Sequence, residues 1–342
     1  MTAHDVLLSI CIPTFNRSKL LESALRSVLR EFPNESVEVL ILDNASGDDT
    51  PEVAELFCRK SRHVRYIRND ANIGVERNAL KAIEEARGEY VFVFSDDDVL
   101  LPGSGTAILT AIQDVQPVFL YLGHAGFWEG ESPDAALARH PDPYGKTVVY
   151  TDGFALLYDA LLEHNAAMVF NTGVARQALA RIAEYQEVSF LAGYELSALA
   201  HQTVLGSVGP FARVCRCCVA VRNTEQISYN PIYSSHIDVV RRFQILHTWG
   251  LLNRFQLSKL MKKRVWGFRD NLILAFRCSK DPRYTALERR LIWRHDWRYW
   301  RFYLYLAPIV TLPRWIICPA YRIGQRFLRR HERSRGIERR VI

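Results

Sequence analysis

The sequence predicts an α/β protein with a mostly parallel, doubly wound sheet, followed by a basic α-helical C-terminal extension. Three observations carry that reading. Short apolar runs alternate with amphipathic helical patterns through residues 7–94, the βαβαβαβ order that folds into a parallel sheet with right-handed crossovers. Acids stand where runs end: Asp43 after one, and Asp96, Asp97 and Asp98 after another. In open α/β sheets that rim, outside the strands' carboxyl ends, is where ligands bind. Charge is also unevenly divided. Residues 1–240 carry about 19 Lys/Arg against 31 Asp/Glu, and residues 241–342 about 25 against 6. An acidic body is thus joined to a segment that seeks an anionic surface.

Taken in order, L-L-S-I-C-I-P at 7–13 is a strand and T-F-N-R its turn. Leu20, Leu21, Ala24, Leu25, Val28 and Leu29 recur at helical spacing, predicting a helix over 17–31. V-E-V-L-I-L at 37–42 is the second strand, closed by Asp43 and Asn44. Thr50 reads as an N-cap, with Pro51 and Glu52 suited to the first turn of a helix reaching about Lys60. A short strand at His63–Ile67 and a helix from Val75 to Ala86 precede the strand at 89–94. That last strand is apolar enough to be buried on both faces.

Further on, 104–114 reads as helix and 117–122 as strand, whereas 123–146 is rich in Gly, Pro and acids without a period. The latter is expected to be a long loop that works as a lid or binding loop, or is disordered. Helix 153–163, strand 167–172, helix 175–185 and strand 211–221 complete the body, with Glu195 set among apolar neighbours in F-L-A-G-Y-E-L-S-A-L. Cys215, Cys217 and Cys218 lie in the alternating V-C-R-C-C-V-A-V, a strand pattern rather than zinc-ligand spacing. Seven cysteines in scattered contexts, and an N-terminus without a signal-peptide pattern, indicate a reducing cytoplasm.

Three adjacent carboxylates repel one another unless neutralised. A hard divalent cation, Mg²⁺ or Mn²⁺, does this with carboxylate oxygens and is usually shared with substrate phosphates. The tail has a different chemistry. Trp293, Trp297 and Trp300 lie at i, i+4 and i+7, with Arg294, Arg298 and Arg301 one position on. Adjoining aromatic and cationic stripes suit a helix lying in a membrane interface. Residues 302–321 are apolar, but Pro308, Pro313, Arg314 and Pro319 argue against a simple spanning helix. The alternatives for the stripe are a core helix or a dimer face, so an oligomer is left open.

S-I-C-I-P-T-F-N-R, L-I-L-D-N-A-S-G-D-D-T, N-I-G-V-E-R-N and F-S-D-D-D-V-L-L-P, in this order, resemble family 2 glycosyltransferases of the GT-A (nucleotide-diphospho-sugar transferase) fold. The most similar subgroup is the bacterial O-antigen and abequosyltransferase type. The resemblance covers about residues 6–225, implying a GT-A domain at 1–225 and a helical, basic, membrane-associating region at 226–342. It implies a nucleotide-sugar donor and a glycan or lipid-linked glycan acceptor, in O-antigen, capsule or exopolysaccharide synthesis. The place implied is the cytoplasm, peripheral on the inner face of the plasma membrane.

Residue by residue, the resemblance puts Pro13, Thr14, Asn16 and Arg17 around the nucleotide, Asp43 on the base, and Arg77 and Asn78 near ribose or phosphate. Asp96 and Asp98 satisfy the D-x-D element as metal ligands, with Asp97 as the rival and Asp96 and Asp97 also facing the donor. Glu195 matches the last acid of the family's late G-E-D, the base for an inverting displacement.

Two other classes are weighed against this one. A sugar nucleotidyltransferase uses a similar sheet and metal, but its Gly-rich loop is replaced here by P-T-F-N-R. A nucleic-acid-binding or interaction protein would use the basic tail, yet no zinc-finger, RRM or KH pattern accompanies it, so no nucleic-acid partner is expected.

Overall fold

A computed structural model of the 342-residue chain describes residues 6–140, 142, 144–160, 167–181, 195–223, 238–265 and seven residues between 311 and 319. The aromatic–arginine stripe at 293–301 lies outside the described residues, as does the basic C-terminus.

Each of the first three strands is followed by a helix. β1 (Leu8–Thr14), α1 (Ser18–Glu31), β2 (Val37–Asp43), α2 (Thr50–Lys60), β3 (Val64–Arg68), α3 (Val75–Glu85) and β4 (Tyr90–Val93) alternate as the periodicity predicts. Strand β2 is buried along its whole length and β1 nearly so, because helices cover both faces of a parallel sheet. Helix α1 turns Leu21, Ala24, Leu25 and Val28 inward, the stripe read from the sequence.

The remaining elements of this unit are β5 (Val99–Leu100), α4 (Ser104–Val115), β6 (Phe119–Trp128), α5 (Ala135–Arg139), β7 (Thr147–Tyr150), α6 (Gly153–Ala160), β8 (Met168–Asn171), α7 (Thr172–Leu179), α8 (Glu195–Gly206) and β9 (Phe211–Asn223). The sheet runs β3-β2-β1-β4-β8-β6-β9-β5, with β7 on β9. Its β3-β2-β1-β4 half is parallel; β8 is antiparallel to both β4 and β6.

Three expectations need correction. Residues 123–146 are not one long loop: β6 continues to Trp128, α5 follows, and β7 begins at Thr147. The glycines that hid the strand are part of its pairing. β6 shifts register against β9 around Gly123, where a Cβ would overlap the Arg216 carbonyl, so glycine admits the close backbone approach. Helix α7 starts at Thr172 rather than 175, because the Asn171 side chain accepts from the Val174 N–H at 3.2 Å. Thr50 opens α2 from inside rather than capping it. The N-cap position is Asp49, whose side chain makes no capping bond; one residue earlier, Asp48 Oδ1 accepts from the Thr50 N–H at 3.1 Å, while Oδ2 accepts from Ser18 N at the start of α1, also at 3.1 Å.

The cysteine run lies on β9 as a strand. Cys11, Cys58, Cys215, Cys217 and Cys218 are free thiols, whereas Cys318 is disulfide-bonded, a departure from an all-reduced set.

The chain divides into two compact units, Met1–Ile227 with Trp249–Leu251, and Ser228–Thr248 with Leu252–Ile342. In the second, α9 (Asp238–Thr248) packs on α10 (Arg254–Val265), and Phe243, Leu246, Leu260 and Met261 on these helices are buried. Asn253 and Gln256 exchange reciprocal 2.9 Å bonds at the start of α10, a capping box. No helix among the described residues is long and apolar enough to cross a membrane.

Candidate active site

Parallel pairing sets the site. Thr14 stands beside Asp43 in register, and Cys11 beside Val93, so the ends of β1, β2 and β4 open on one rim. A cavity of about 460 Å³ lies at that rim, its wall including Thr14, Arg17, Asn44, Asn78, Asp96 and Leu196.

After β1 the chain turns through Asn16 at φ 53°, a left-handed conformation that asparagine tolerates better than most residues. The turn is fixed to the loop after β2. Asn16 N–H donates to Ser46 Oγ at 2.9 Å, and Gly47 N–H donates to Asn16 Oδ1 at 2.7 Å. Arg17 then reaches across the rim to the acidic turn after β4. Its Nη1 is 2.9 Å from Asp96 Oδ1 and 3.1 Å from Asp97 Oδ2. Asp96 Oδ2 accepts from Thr14 Oγ1 at 2.7 Å, and Ser95 Oγ donates to Asp97 at 2.5 Å. Burial pushes the Asp96 carboxyl up to about 6, with Arg17 opposing the rise and Asp97 adding to it.

Asp98 points elsewhere. Its Oδ1 accepts from the Arg222 N–H at 2.9 Å, and burial raises its carboxyl well above the usual range, with Asp97 adding to it. Asp43 is fully enclosed: Oδ1 accepts from Ser46 N–H at 2.8 Å, and Oδ2 from Tyr66 Oη at 2.8 Å and Arg68 Nη1 at 3.2 Å. Burial and that bond push the Tyr66 hydroxyl up to about 12. Asn78 is held on both sides, donating to the Leu42 carbonyl and accepting from Asn69, each at 2.9 Å.

Of the residues singled out from the sequence, Pro13, Thr14, Arg17, Asn78 and Asp96 line the cavity. Asn16, Asp43, Asp97 and Asp98 are not among its lining residues, though each lies within two positions of one in the chain, and Arg77 is exposed on α3. Glu195 is the first residue of α8, one position before Leu196, which lines the cavity.

Sequence reading missed Asn44, whose Oδ1 accepts from Asn69 and Ile73 N–H and whose Nδ2 donates to Asn72, stitching the loop before α3 to the end of β2. An Asn directly after a strand-ending Asp was the available signal. It also missed Arg222, whose Nε donates to the Asp97 carbonyl at 3.0 Å; nothing local marks a strand-end arginine.

A divalent cation can be tested against this donor set. Among the described residues no group of three or more His, Cys, Asp or Glu side chains converges as a metal site. Asp96 and Asp97 nevertheless both turn toward one cationic nitrogen of Arg17. Two carboxylates facing a common positive charge fit an ion completed by substrate phosphates.

Residues 9–159 match the family model described as glycosyl transferase family 2. The chain is 35% identical over 117 residues to the abequosyltransferase RfbV of Salmonella typhimurium, covering 34% of this chain and 35% of that protein. It is 32% identical over 103 residues to the GalNAc(5)-diNAcBac-PP-undecaprenol beta-1,3-glucosyltransferase of Campylobacter jejuni, covering 30% and 33%. The chain thus spans about a third of the length of these curated relatives. Among solved structures, S. aureus TarS 1–349 superposes with a TM-score of 0.58 at 15% identity, over 86% of this chain and 82% of that one. The same fragment in complex with UDP-GlcNAc gives 0.56 at 15% identity, over 98% and 93%. The shared fold is of the GT-A type.

Proposed function

We propose, from the premise that residues 9–159 are a glycosyl transferase family 2 domain, that the chain transfers a sugar with inversion from a nucleotide-sugar donor to a hydroxyl of a lipid-linked or surface-polysaccharide acceptor. The observation that carries this is the cavity at the carboxyl ends of β1, β2 and β4, walled by Thr14, Arg17 and Asp96. A concave site with few convergent polar groups at this position of an α/β sheet suits a nucleotide.

Pro13, Thr14, Asn16 and Arg17 would hold the nucleotide. Asp43 belongs to the base side; because its carboxylate is enclosed, contact with a base requires the half-exposed Arg68 to move off Oδ2. Arg77 is available to ribose or phosphate, whereas Asn78 would act through Asn69 and Leu42. Mg²⁺ or Mn²⁺ would be held by Asp96 with Asp98, or with Asp97, and when bound supplies positive charge to the departing diphosphate. Of these pairs, Asp96 with Asp97 is favoured by the shared direction of the two side chains.

Glu195 would take the proton of the acceptor hydroxyl. The acceptor oxygen then forms a bond to the anomeric carbon as the bond from that carbon to the diphosphate oxygen breaks, and the nucleoside diphosphate leaves with the electron pair. Arg17, beside Asp96, would face that oxygen. Leu196 and Phe94 on the wall help exclude water.

The transferase domain is taken as 1–225, and the helical, basic region 226–342 as its attachment to the inner face of the plasma membrane. The test of the activity is a panel of nucleotide sugars assayed with Mn²⁺ for thermal stabilisation and hydrolysis. One donor class should raise Tm and turn over, and undiminished turnover in excess chelator would refute metal dependence. Flotation of the full chain with anionic but not zwitterionic vesicles tests the attachment.

A further inference from the structure

We infer that Arg17 is the resident counter-charge of the acidic turn, and that it yields this position to the divalent cation accompanying the donor. The inference rests on the metal reading above and adds a role for one side chain. The backbone on either side of Arg17 is pinned: Asn16 bonds Ser46 and Gly47, and Ser18 N–H donates to Asp48 Oδ2 at 3.1 Å. The side chain is held differently. Its hydrogen bonds among the described residues go to Asp96 and Asp97, and both leave from Nη1.

The stronger arginine–carboxylate pairs are frequently bidentate, using both prongs of the guanidinium. Here one nitrogen is divided between two acids, so neither pair is bidentate. Arg17 is also the exposed partner, at 49% against 5% for Asp96 and 22% for Asp97. Displacing it therefore returns a half-hydrated guanidinium to solvent or to a ligand, at little desolvation cost. The charges point the same way. A single positive charge faces two carboxylates, leaving an excess negative charge that a divalent ion would balance. Arg17 lines the same cavity as Asp96, so the released guanidinium stays within the site, where its planar donors suit a diphosphate.

The test is a Mn²⁺ titration of the full chain without donor, following the spectrum of the free aquo ion by electron paramagnetic resonance, and repeated with UDP. Arg17→Met is expected to bind Mn²⁺ about tenfold more tightly than wild type, because the competing charge is gone. Arg17→Lys, which keeps a cation, is expected within about threefold of wild type, and adding Asp96→Asn to Arg17→Met should abolish the gain. A purely structural role for Arg17 would not tighten metal binding; thermal unfolding of each variant verifies the fold. If Arg17→Met binds Mn²⁺ no more tightly than wild type, including the case where neither binds it until UDP is added, the exchange is overturned and the metal reading stands. No Mn²⁺ binding in either protein, even with UDP, overturns both.

Discussion

The backbone N–H of Arg222 donates to Asp98 Oδ1 across 2.9 Å, fastening the acidic turn after β4 to the end of β9. Arg222 adds its Nε bond to the Asp97 carbonyl, and its guanidinium lies 4.8 Å from the centroid of the buried Phe127 ring. The turn is therefore held from a strand more than a hundred residues away. Asp98→Ala leaves the part-buried Arg222 N–H without its acceptor and should cost about 1–3 kcal/mol in urea denaturation. Donor turnover should fall with it. Asp98→Asn, which keeps an acceptor oxygen, should recover the stability but not the turnover; full turnover in either variant would remove Asp98 from the site.

Asp96 makes stability depend on pH in a defined direction. Its folded value of about 6 lies above the unfolded carboxylate value of about 3.9. The unfolded chain therefore ionises first as pH rises from about 4 to 6, and the residue's contribution falls across that window by up to about 3 kcal/mol. Above it the contribution stays flat. The stability of wild type relative to Asp96→Asn should decline in the same window; a difference independent of pH would contradict the burial of this carboxyl.

Glu38 is a charge at the second position of β2, 6% exposed. It accepts from Ser9 Oγ at 2.5 Å, Arg65 Nε at 2.8 Å and Arg87 N–H at 3.0 Å. Glu38→Ala removes one acceptor from each of the three; Arg65 keeps the Glu85 carbonyl and the Arg87 N–H keeps Ser9 Oγ, so the cost should be about 1–3 kcal/mol. Glu38 does not line the cavity, so donor affinity of the folded fraction should be unchanged; equilibrium unfolding and a donor titration measure the two effects separately.

Helix α4 approaches the end of α1 at Gly105, where a Cβ would overlap the Glu31 carbonyl. Gly105→Ala should destabilise by about 1–3 kcal/mol, since backbone cannot yield as a side chain does. At Gly47 a Cβ meets nothing within 4 Å, and Gly47→Ala should change stability by no more than about 0.5 kcal/mol. Thermal or urea unfolding of the pair tests the packing of α4.

Glu195→Gln should separate binding from chemistry. Donor affinity should stay within about threefold, while transfer falls by at least about 100-fold. Equal loss of affinity and turnover would make Glu195 a binding residue instead.

The elements of the first hundred residues were legible because each amphipathic pattern is local: α1 and α2 end where their periodicity ends, and the β2 and β4 runs are buried as their composition requires. Residues 123–146 were not legible. Gly123 and Gly126, which look like loop, sit in β6 beside β9, and a strand that pairs around a bulge has no local period.

The sequence by itself determined that strands and helices alternate and that Asp43 and Asp96–Asp98 share a rim, since both follow from spacing along the chain. Only the tertiary structure decided what each acid faces. Asp43 is enclosed by Tyr66 and Arg68, Asp98 is taken by Arg222, and Asp96 is left at the cavity with Thr14 and Arg17. Three carboxylates alike in chemistry thus differ in burial and partner, because those are set by chain segments 23 to 124 residues away that meet only when the sheet forms.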